Sequence, residues 1–164
     1  MENKIKIFIG YLEYGSASCN RLFAYCRGFS ELGYTAEIIA YNTIRIDNYK
    51  GEDGFRLSIL PPTKIKNKYI RTICSYIYLL YFLIFHTSRK DKMMIYGGYD
   101  ELPLFLLCRR SNIIHEITEC PEIIGPYFLP LKFYFWCCKN IQGMFVISEN
   151  LKQYFISKGV EENN

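Results

Sequence analysis

The part of the chain best equipped for chemistry is a strand-like run that leads directly into carboxylates. Residues 115–122 have the sequence HEITECPE, which holds three glutamates and a proline. Glutamates at the mouth of a sheet can act as general bases when burial raises their pKa, or can hold a ligand rich in hydroxyls. Side chains alternate between the faces of a strand, so Glu116 and Glu119 need not converge. Both are candidates for ligand binding. The sequence identifies no catalytic residue, and Glu119 is the one candidate for that role.

The same segment has a structural alternative. Acidic side chains ahead of a helix often cap its first turn or fix a loop, without contacting any ligand. A lone histidine in a strand, such as His115, is more often a hydrogen-bonded core residue than a catalytic base.

A second candidate site lies where the first predicted strand leads into the first predicted helix. Residues 15–18 (GSAS) are small, so the backbone can approach a ligand, and a helix N-terminus favours an anion such as phosphate. The loop is not a G-x-G-x-x-G motif, and in the alternative interpretation a serine caps the helix and nothing binds. The binding candidates here are Gly15, Ser16, Ala17 and Arg21.

Strand-like and helix-like patterns alternate along the chain and must position these segments. Strands are predicted over 4–10, 36–41, 55–60, 92–97, 112–117 and 144–148, and helices over 19–32, 67–87, 101–110, 131–140 and 150–158. The alternation predicts an α/β fold, a Rossmann-like parallel sheet with helices on both faces. Ligands of such sheets bind at the carboxyl ends of the strands, here loops 11–18, 97–101 and 118–125.

Composition and charge narrow the function classes. A chain of 164 residues has the length of one domain, and 50% apolar residues are enough to bury a core. The net charge of +4 is too small to indicate nucleic-acid binding. The seven cysteines form no C-x-x-C pair and have no histidine at ligand spacing, so neither a metal nor a cofactor is predicted. The N-terminus has no secretory signal pattern, which indicates a cytoplasmic protein with reduced thiols.

Aromatic and positive residues concentrate in one stretch. Residues 61–92 carry seven basic side chains against one acid, and within them 73–85 (ICSYIYLLYFLIF) carry no charge. As a helix those thirteen residues would extend about 20 Å, too short for about 30 Å of hydrocarbon. The pattern suits a helix lying in an anionic interface, with core packing as the alternative, and 127–138 form a second aromatic patch. The membrane-facing candidates are Lys64, Lys66, Lys68, Arg71, Tyr76 and Phe82.

The order of elements and four segments resemble the N-terminal domain of a family 4 glycosyltransferase. They are the loop with Gly15 and Arg21, the helix end 31–33 (ELG), the E-x-x-E-x-P run 116–121, and the strand and helix FVISENLKQYFISKGV over 145–160. The resemblance covers residues 1–160, and 161–164 would begin an interdomain linker that is cut short. Such enzymes have the GT-B architecture, in which an acceptor-binding N-terminal domain faces a C-terminal domain that binds the nucleotide-sugar. They are retaining transferases that need no metal.

The resemblance implies roles for the residues that match. Gly15 and its neighbours would lie under the sugar-nucleotide phosphates, and Glu116 and Glu119 would line the acceptor side. The sequence departs from the family at Cys120, where an aromatic residue is common. The donor-binding E-x₇-E pattern has no counterpart, since the residue eight positions after Glu149 is a serine.

The expected function is therefore acceptor binding in a hexosyltransferase-type enzyme that uses a nucleotide-sugar donor and a glycan or lipid-linked acceptor. The resemblance implies a role in cell-surface polysaccharide synthesis at the inner face of the membrane, with the chain inactive without a donor-binding domain. The alternatives are a non-catalytic α/β module that binds a membrane or a partner, and a regulator that binds a nucleotide at the Gly15 loop.

Overall fold

A six-stranded parallel sheet runs through the residues that the computed structural model describes, which are 4–46, 55–88, 90–108, 112–124 and 130–162. The strands are β1 (Lys4–Glu13), β2 (Thr35–Arg45), β3 (Arg56–Ile59), β4 (Lys92–Tyr96), β5 (Ile113–Ile117) and β6 (Gly143–Val146). The helices are α1 (Ala17–Glu31), α2 (Lys68–Phe85), α3 (Leu102–Leu107), α4 (Pro121–Ile124), α5 (Leu131–Cys138) and α6 (Glu149–Ser157), with a 3-10 helix at Pro61–Lys64. The predicted α/β, Rossmann-like fold is confirmed.

The strand order β3-β2-β1-β4-β5-β6 reverses its direction of growth between β1 and β4. The chain builds β2 and β3 outward on one side of β1, then returns through α2 and builds β4, β5 and β6 on the other. Loops that leave β1 and β4 therefore turn apart, and the crevice that opens between them is where doubly wound sheets bind ligands.

Two apolar cores cover the two faces of the sheet. On β1, Ile7 and Phe8 are neighbours that point to opposite faces, yet both are fully buried. Ile7 packs in the core with α1, and Phe8 packs in the core formed with α2, α3, α5 and α6. Burial on both sides explains why the central segments 7–9 (IFI) and 93–95 (MMI) are continuous apolar runs.

The first strand is longer than the sequence predicted. Pairing between β1 and β2 shifts register between Ile9 and Tyr11 and then continues to Glu13 opposite Arg45. The extra residue lies in β2, where Tyr41 and Asn42 both stand opposite Gly10, and the ladder then resumes, which the alternation of residues 4–10 does not reveal. The predicted loop 11–18 is therefore reduced to residues 14–16, and α1 begins two residues earlier than expected.

Several predicted features lie outside the described residues. They are the end of the third predicted helix at 109–110, the loop residue 125, the start of the second aromatic patch at 127–129, and the last two residues of the expected linker at 163–164.

Candidate functional site

An ion pair between α1 and β5 forms the centre of the candidate site. Arg21, in the second turn of α1, places its Nη1 3.1 Å from Oε1 of Glu116, the penultimate residue of β5. Helix α1 packs on the face of the sheet toward which Glu116 points, so residues 95 positions apart in sequence meet near the end of β5. The structure thus brings together two of the residues named from the sequence.

Glu116 is buried although it carries a carboxylate. Its side chain is 1% exposed, whereas that of Arg21 is 35% exposed and opens the pair to solvent. Burial raises the pKa of Glu116, and the hydrogen bond and charge of Arg21 offset part of that rise. In the described part of the chain, Oε2 of Glu116 has no hydrogen-bond partner. A buried acceptor without a donor is costly, and this oxygen is closed off from solvent, so a ligand hydroxyl would reach it only after the side chains around it moved.

Two tyrosines that the sequence reasoning missed surround this carboxylate. The hydroxyl of Tyr96, the last residue of β4, donates to the carbonyl of Ser18 at 3.1 Å. Burial and the negative charge of Glu116 raise the pKa of Tyr96 to about 12, and they also raise the pKa of Tyr25. The ring of Tyr25 stacks on that of Phe145 at 6.4 Å between centroids. The signals available were the position of Tyr96 at the end of a strand and of Tyr25 one helical turn after Arg21.

The small-residue loop serves the helix in this structure. Gly15 has a φ of 83°, a conformation that favours glycine, and Ser16 is the N-cap of α1. The Oγ of Ser16 accepts from the amide of Cys19 at 3.1 Å and donates to the carbonyl of Glu13 at 2.7 Å. Ala17 is the first residue of α1 and is exposed. The capping role that the sequence left open is therefore present at Ser16.

The second glutamate of the E-x-x-E-x-P run lies apart from the first. Glu119 is exposed, and its backbone carbonyl accepts from the Tyr99 hydroxyl at 3.0 Å. Glu116 faces the α1 side of the sheet and is buried, so the run contributes one carboxylate to the ion pair and presents the other to water. Cys120 is half-buried and packs against the core on the α2 side.

A second polar cluster lies near the crevice between β1 and β4. Glu101, just before α3, is close to Tyr41 of β2 and Tyr76 of α2. Burial, with a smaller contribution from the charge of Asp100, raises the pKa of Glu101 to about 7. Gly98 has a φ of 75°, and a Cβ added there would lie 3.1 Å from both the Glu101 Oε2 and the Tyr41 hydroxyl. The two polar groups therefore converge on a position that only glycine fits. The sequence marked loop 97–101 but neither tyrosine.

His115 is a core residue, as the structural alternative anticipated. Its ring nitrogens lie 3.3 Å from the carbonyl of Ile95 and 3.2 Å from the hydroxyl of Tyr134. Burial lowers the pKa of His115 to about 4, so the ring stays neutral at physiological pH.

The membrane-facing candidates divide into two groups. The side chains of the first group, Lys64, Lys66 and Lys68, are exposed. Arg71 is half-buried and donates to Oδ1 of Asn42 at 3.2 Å. Tyr76 and Phe82 are also half-buried on the sheet side of α2, and Phe82 packs edge-on against Phe8 at 6.1 Å. The structure thus turns these three candidates away from solvent, because they share a helix face with the buried residues.

Comparison with models of known families and with curated proteins finds no match to this chain. Within the described ranges, no three histidine, cysteine, aspartate or glutamate side chains come together in a way that could hold a metal ion.

Proposed function

We propose that the chain is the acceptor-binding domain of a retaining glycosyltransferase of hexosyltransferase type. In this proposal the enzyme transfers a sugar from a nucleotide-sugar to a glycan or lipid-linked acceptor in cell-surface polysaccharide synthesis. The observation that supports it most is the Arg21–Glu116 pair, in which a buried carboxylate oxygen lacks a donor within the described residues. The α/β sheet places the pair at the strand ends, where such folds bind ligands.

The chemistry of the pair suits a ligand with several hydroxyl groups. The half-exposed guanidinium of Arg21 can donate to a hydroxyl oxygen of the ligand, and in this proposal Glu116 accepts from a second hydroxyl at its buried Oε2 once the Arg21 side chain moves aside. The Tyr25 and Phe145 rings beside them offer an apolar surface for the C–H face of a sugar ring. Because the cation of Arg21 is already engaged by Glu116, the site favours neutral polyols over a phosphate.

The donor side belongs, in this proposal, to a second domain. The E-x₇-E pattern of the resembling family has no counterpart in the sequence, and Ser16, at the loop expected under the phosphates, is engaged as a helix cap. Stabilisation of the departing nucleotide would come from that second domain, so the chain by itself binds acceptor without transferring sugar.

Saccharide binding tests the proposal. We expect glucose, galactose or N-acetylglucosamine, or disaccharides of them, to bind weakly by calorimetry. Glu116→Gln should weaken binding at least about tenfold, because hydrogen bonds to a charged group contribute about 1.5–3 kcal/mol. Glu31→Gln, an exposed change at the far end of α1, is the matched control and should bind as the wild type does. A panel in which no saccharide binds, or Glu116→Gln binds equally well, would contradict the proposal.

The alternative is a non-catalytic α/β module, and it depends on a different observation. Helix α2 has a row of exposed apolar side chains, which the Arg21–Glu116 site does not explain. A module of that kind would show no saccharide binding, whereas the acceptor domain binds saccharide whether or not α2 has a partner. The calorimetric panel therefore distinguishes the two functions.

A further inference from the structure

Helix α2 exposes a broad apolar surface, which we call the outer face. Of its 18 residues, only 17% are buried. Ile73 is 62% exposed, Ile77 is 61% exposed and Phe85 is 69% exposed. Ile70, Tyr81 and Ile84 complete the outer face, and no acidic residue occurs anywhere in the helix. Contiguous apolar surface on this scale marks an interaction site in a folded protein.

The core of the protein does not account for the outer face. Ser75, Leu79 and Leu83 are the buried residues of α2, spaced four apart along the side that packs on the sheet. Because this buried row is enough to hold α2 on the sheet, the fold would be kept if the residues of the outer face were polar. Isoleucines there must therefore meet something other than this chain's core.

The position of α2 in the fold decides how it could meet a bilayer. By length and composition alone the whole 18-residue helix could cross a membrane, although the uncharged run 73–85 within it would extend only about 20 Å. However, α2 connects β3 to β4 of one parallel sheet, and its buried row packs on that sheet along its length. A helix held in this way can lie in the plane of an interface but cannot leave the sheet to span it.

The charged residues near the outer face indicate what kind of surface it binds. Exposed Lys64 and Lys66 precede α2 and exposed Lys68 opens it, and none of the three forms an ion pair with any described acidic residue. Lys90, in the loop between α2 and β4 and five residues after the helix ends, is also exposed. A second copy seated on this face would set lysines against lysines, because both ends of α2 carry them. A surface of anionic lipid headgroups complements the lysines and accepts isoleucine, tyrosine and phenylalanine below them.

We propose that the outer face of α2 docks in the plane of an anionic phospholipid surface. The isoleucines and Phe85 enter the boundary between headgroups and acyl chains, and Lys64, Lys66 and Lys68 contact lipid phosphates. The docking is independent of the acceptor site, because Arg21 and Glu116 lie on the opposite face of the sheet from α2.

Vesicle co-sedimentation of the full chain tests this docking. We expect the wild type to pellet with vesicles of phosphatidylcholine mixed with phosphatidylglycerol, to pellet far less with phosphatidylcholine alone, and to be released by salt. Ile77→Ser and Lys66→Glu should each weaken binding by about tenfold, since one loses a buried apolar side chain and the other reverses a charge at the headgroups. Both residues are exposed, so unfolding midpoints should not change.

Matched controls lie on the other face of the sheet. Leu32→Ser removes an equally exposed apolar side chain, and Arg27→Glu reverses an exposed charge on α1; both should bind vesicles as the wild type does. Glu116→Gln should also bind normally, which separates this inference from the proposed function. The inference is overturned if the wild type does not pellet, if the controls weaken binding as much as the α2 variants, or if sedimentation velocity shows a dimer that Ile77→Ser dissolves.

Discussion

At the scale of single residues, the pKa of Glu116 is set first by burial, which raises it, and then by Arg21, which offsets part of that rise. Burial disfavours the carboxylate and Arg21 favours it, so the pair is stable only while both members are present. Arg21 is the exposed member and can be removed without opening the core. What remains after its removal is a buried carboxylate with no compensating charge.

We expect Arg21→Ala to lower the free energy of unfolding by about 1–3 kcal/mol at pH 7. The loss should shrink as the pH falls toward the usual carboxyl pKa near 4.5, because a protonated Glu116 no longer needs a cation. Urea unfolding at several pH values measures this. Arg27→Ala, an exposed change on the same helix, should stay within about 0.5 kcal/mol of the wild type at every pH. An Arg21→Ala loss that is equal at all pH values would show that packing of its side chain, not charge, is what the variant removes.

Glu101 makes a separate contribution to the pH dependence of the free energy of unfolding. Its pKa is raised to about 7 in the folded protein from a usual value of 4.5, so between these values the folded state holds a proton that the unfolded state has lost. Stability from this group is fully present below about 4.5, decreases as the pH rises to about 7, and is constant above. Glu101→Gln should remove that decrease, measured as the difference in free energy of unfolding between wild type and variant.

The free energy of unfolding must be compared between the wild type and Glu101→Gln, because His115 makes stability change with pH in the opposite direction. Its pKa is lowered to about 4 in the fold, so its contribution rises with pH between about 4 and its usual 6.5. Subtracting the variant cancels His115 and leaves Glu101. A wild-type-minus-variant curve that is flat from pH 4.5 to 7 would refute the placement of the half-buried Glu101 beside Tyr41.

Individual site residues could be predicted from the sequence, but the contacts between them could not. Arg21 was found from its place one turn into the first helix and Glu116 from its place near a strand end, but their contact depends on how α1 lies on the sheet. Glu119 was singled out by its motif, yet strand alternation and the following turn place it in solvent. The Tyr41–Glu101 cluster joins β2 to the loop after β4, and no local pattern connects segments so far apart in sequence.

At the scale of elements, one side of α2 packs on the sheet and stabilises the fold, and the other side is exposed. The sequence predicted its extent to within two residues at either end but placed Tyr76 and Phe82 on its membrane-facing side, whereas both are half-buried. The buried row at Ser75, Leu79 and Leu83 sets the helical phase, and this phase turns Tyr76 and Phe82 inward. The spacing of four was visible in the sequence, but a helix apolar on all sides does not reveal which row is buried.

The two sides of α2 should differ sharply in their contribution to stability. Leu79→Ala removes a fully buried side chain and should lower the free energy of unfolding by about 2–5 kcal/mol. Ile77→Ala, two residues away on the outer face, should change it by less than about 0.5 kcal/mol. Denaturant unfolding of both variants measures the contrast. Equal losses would mean that the outer face is covered within the folded chain.

At the scale of the whole molecule, the sheet separates two surfaces. The Arg21–Glu116 site belongs to the α1 side, and the outer face of α2 belongs to the other. The α/β fold was predictable because strands and helices alternate in the sequence and right-handed crossovers leave few topologies. The division into two surfaces was not, because it depends on which helix covers which face.

The measurement that most directly tests the central claim is amide NMR of the chain titrated with the saccharide panel and, separately, with a nucleotide-sugar. We predict that saccharide shifts the amides of Ser18, Arg21, Gly97 and Glu116, and that Glu116→Gln abolishes these shifts. The nucleotide-sugar should produce no tighter binding than its sugar alone. Tight nucleotide binding at residues 15–17, with no saccharide response around Glu116, would contradict an acceptor-binding domain and favour a nucleotide-binding regulator.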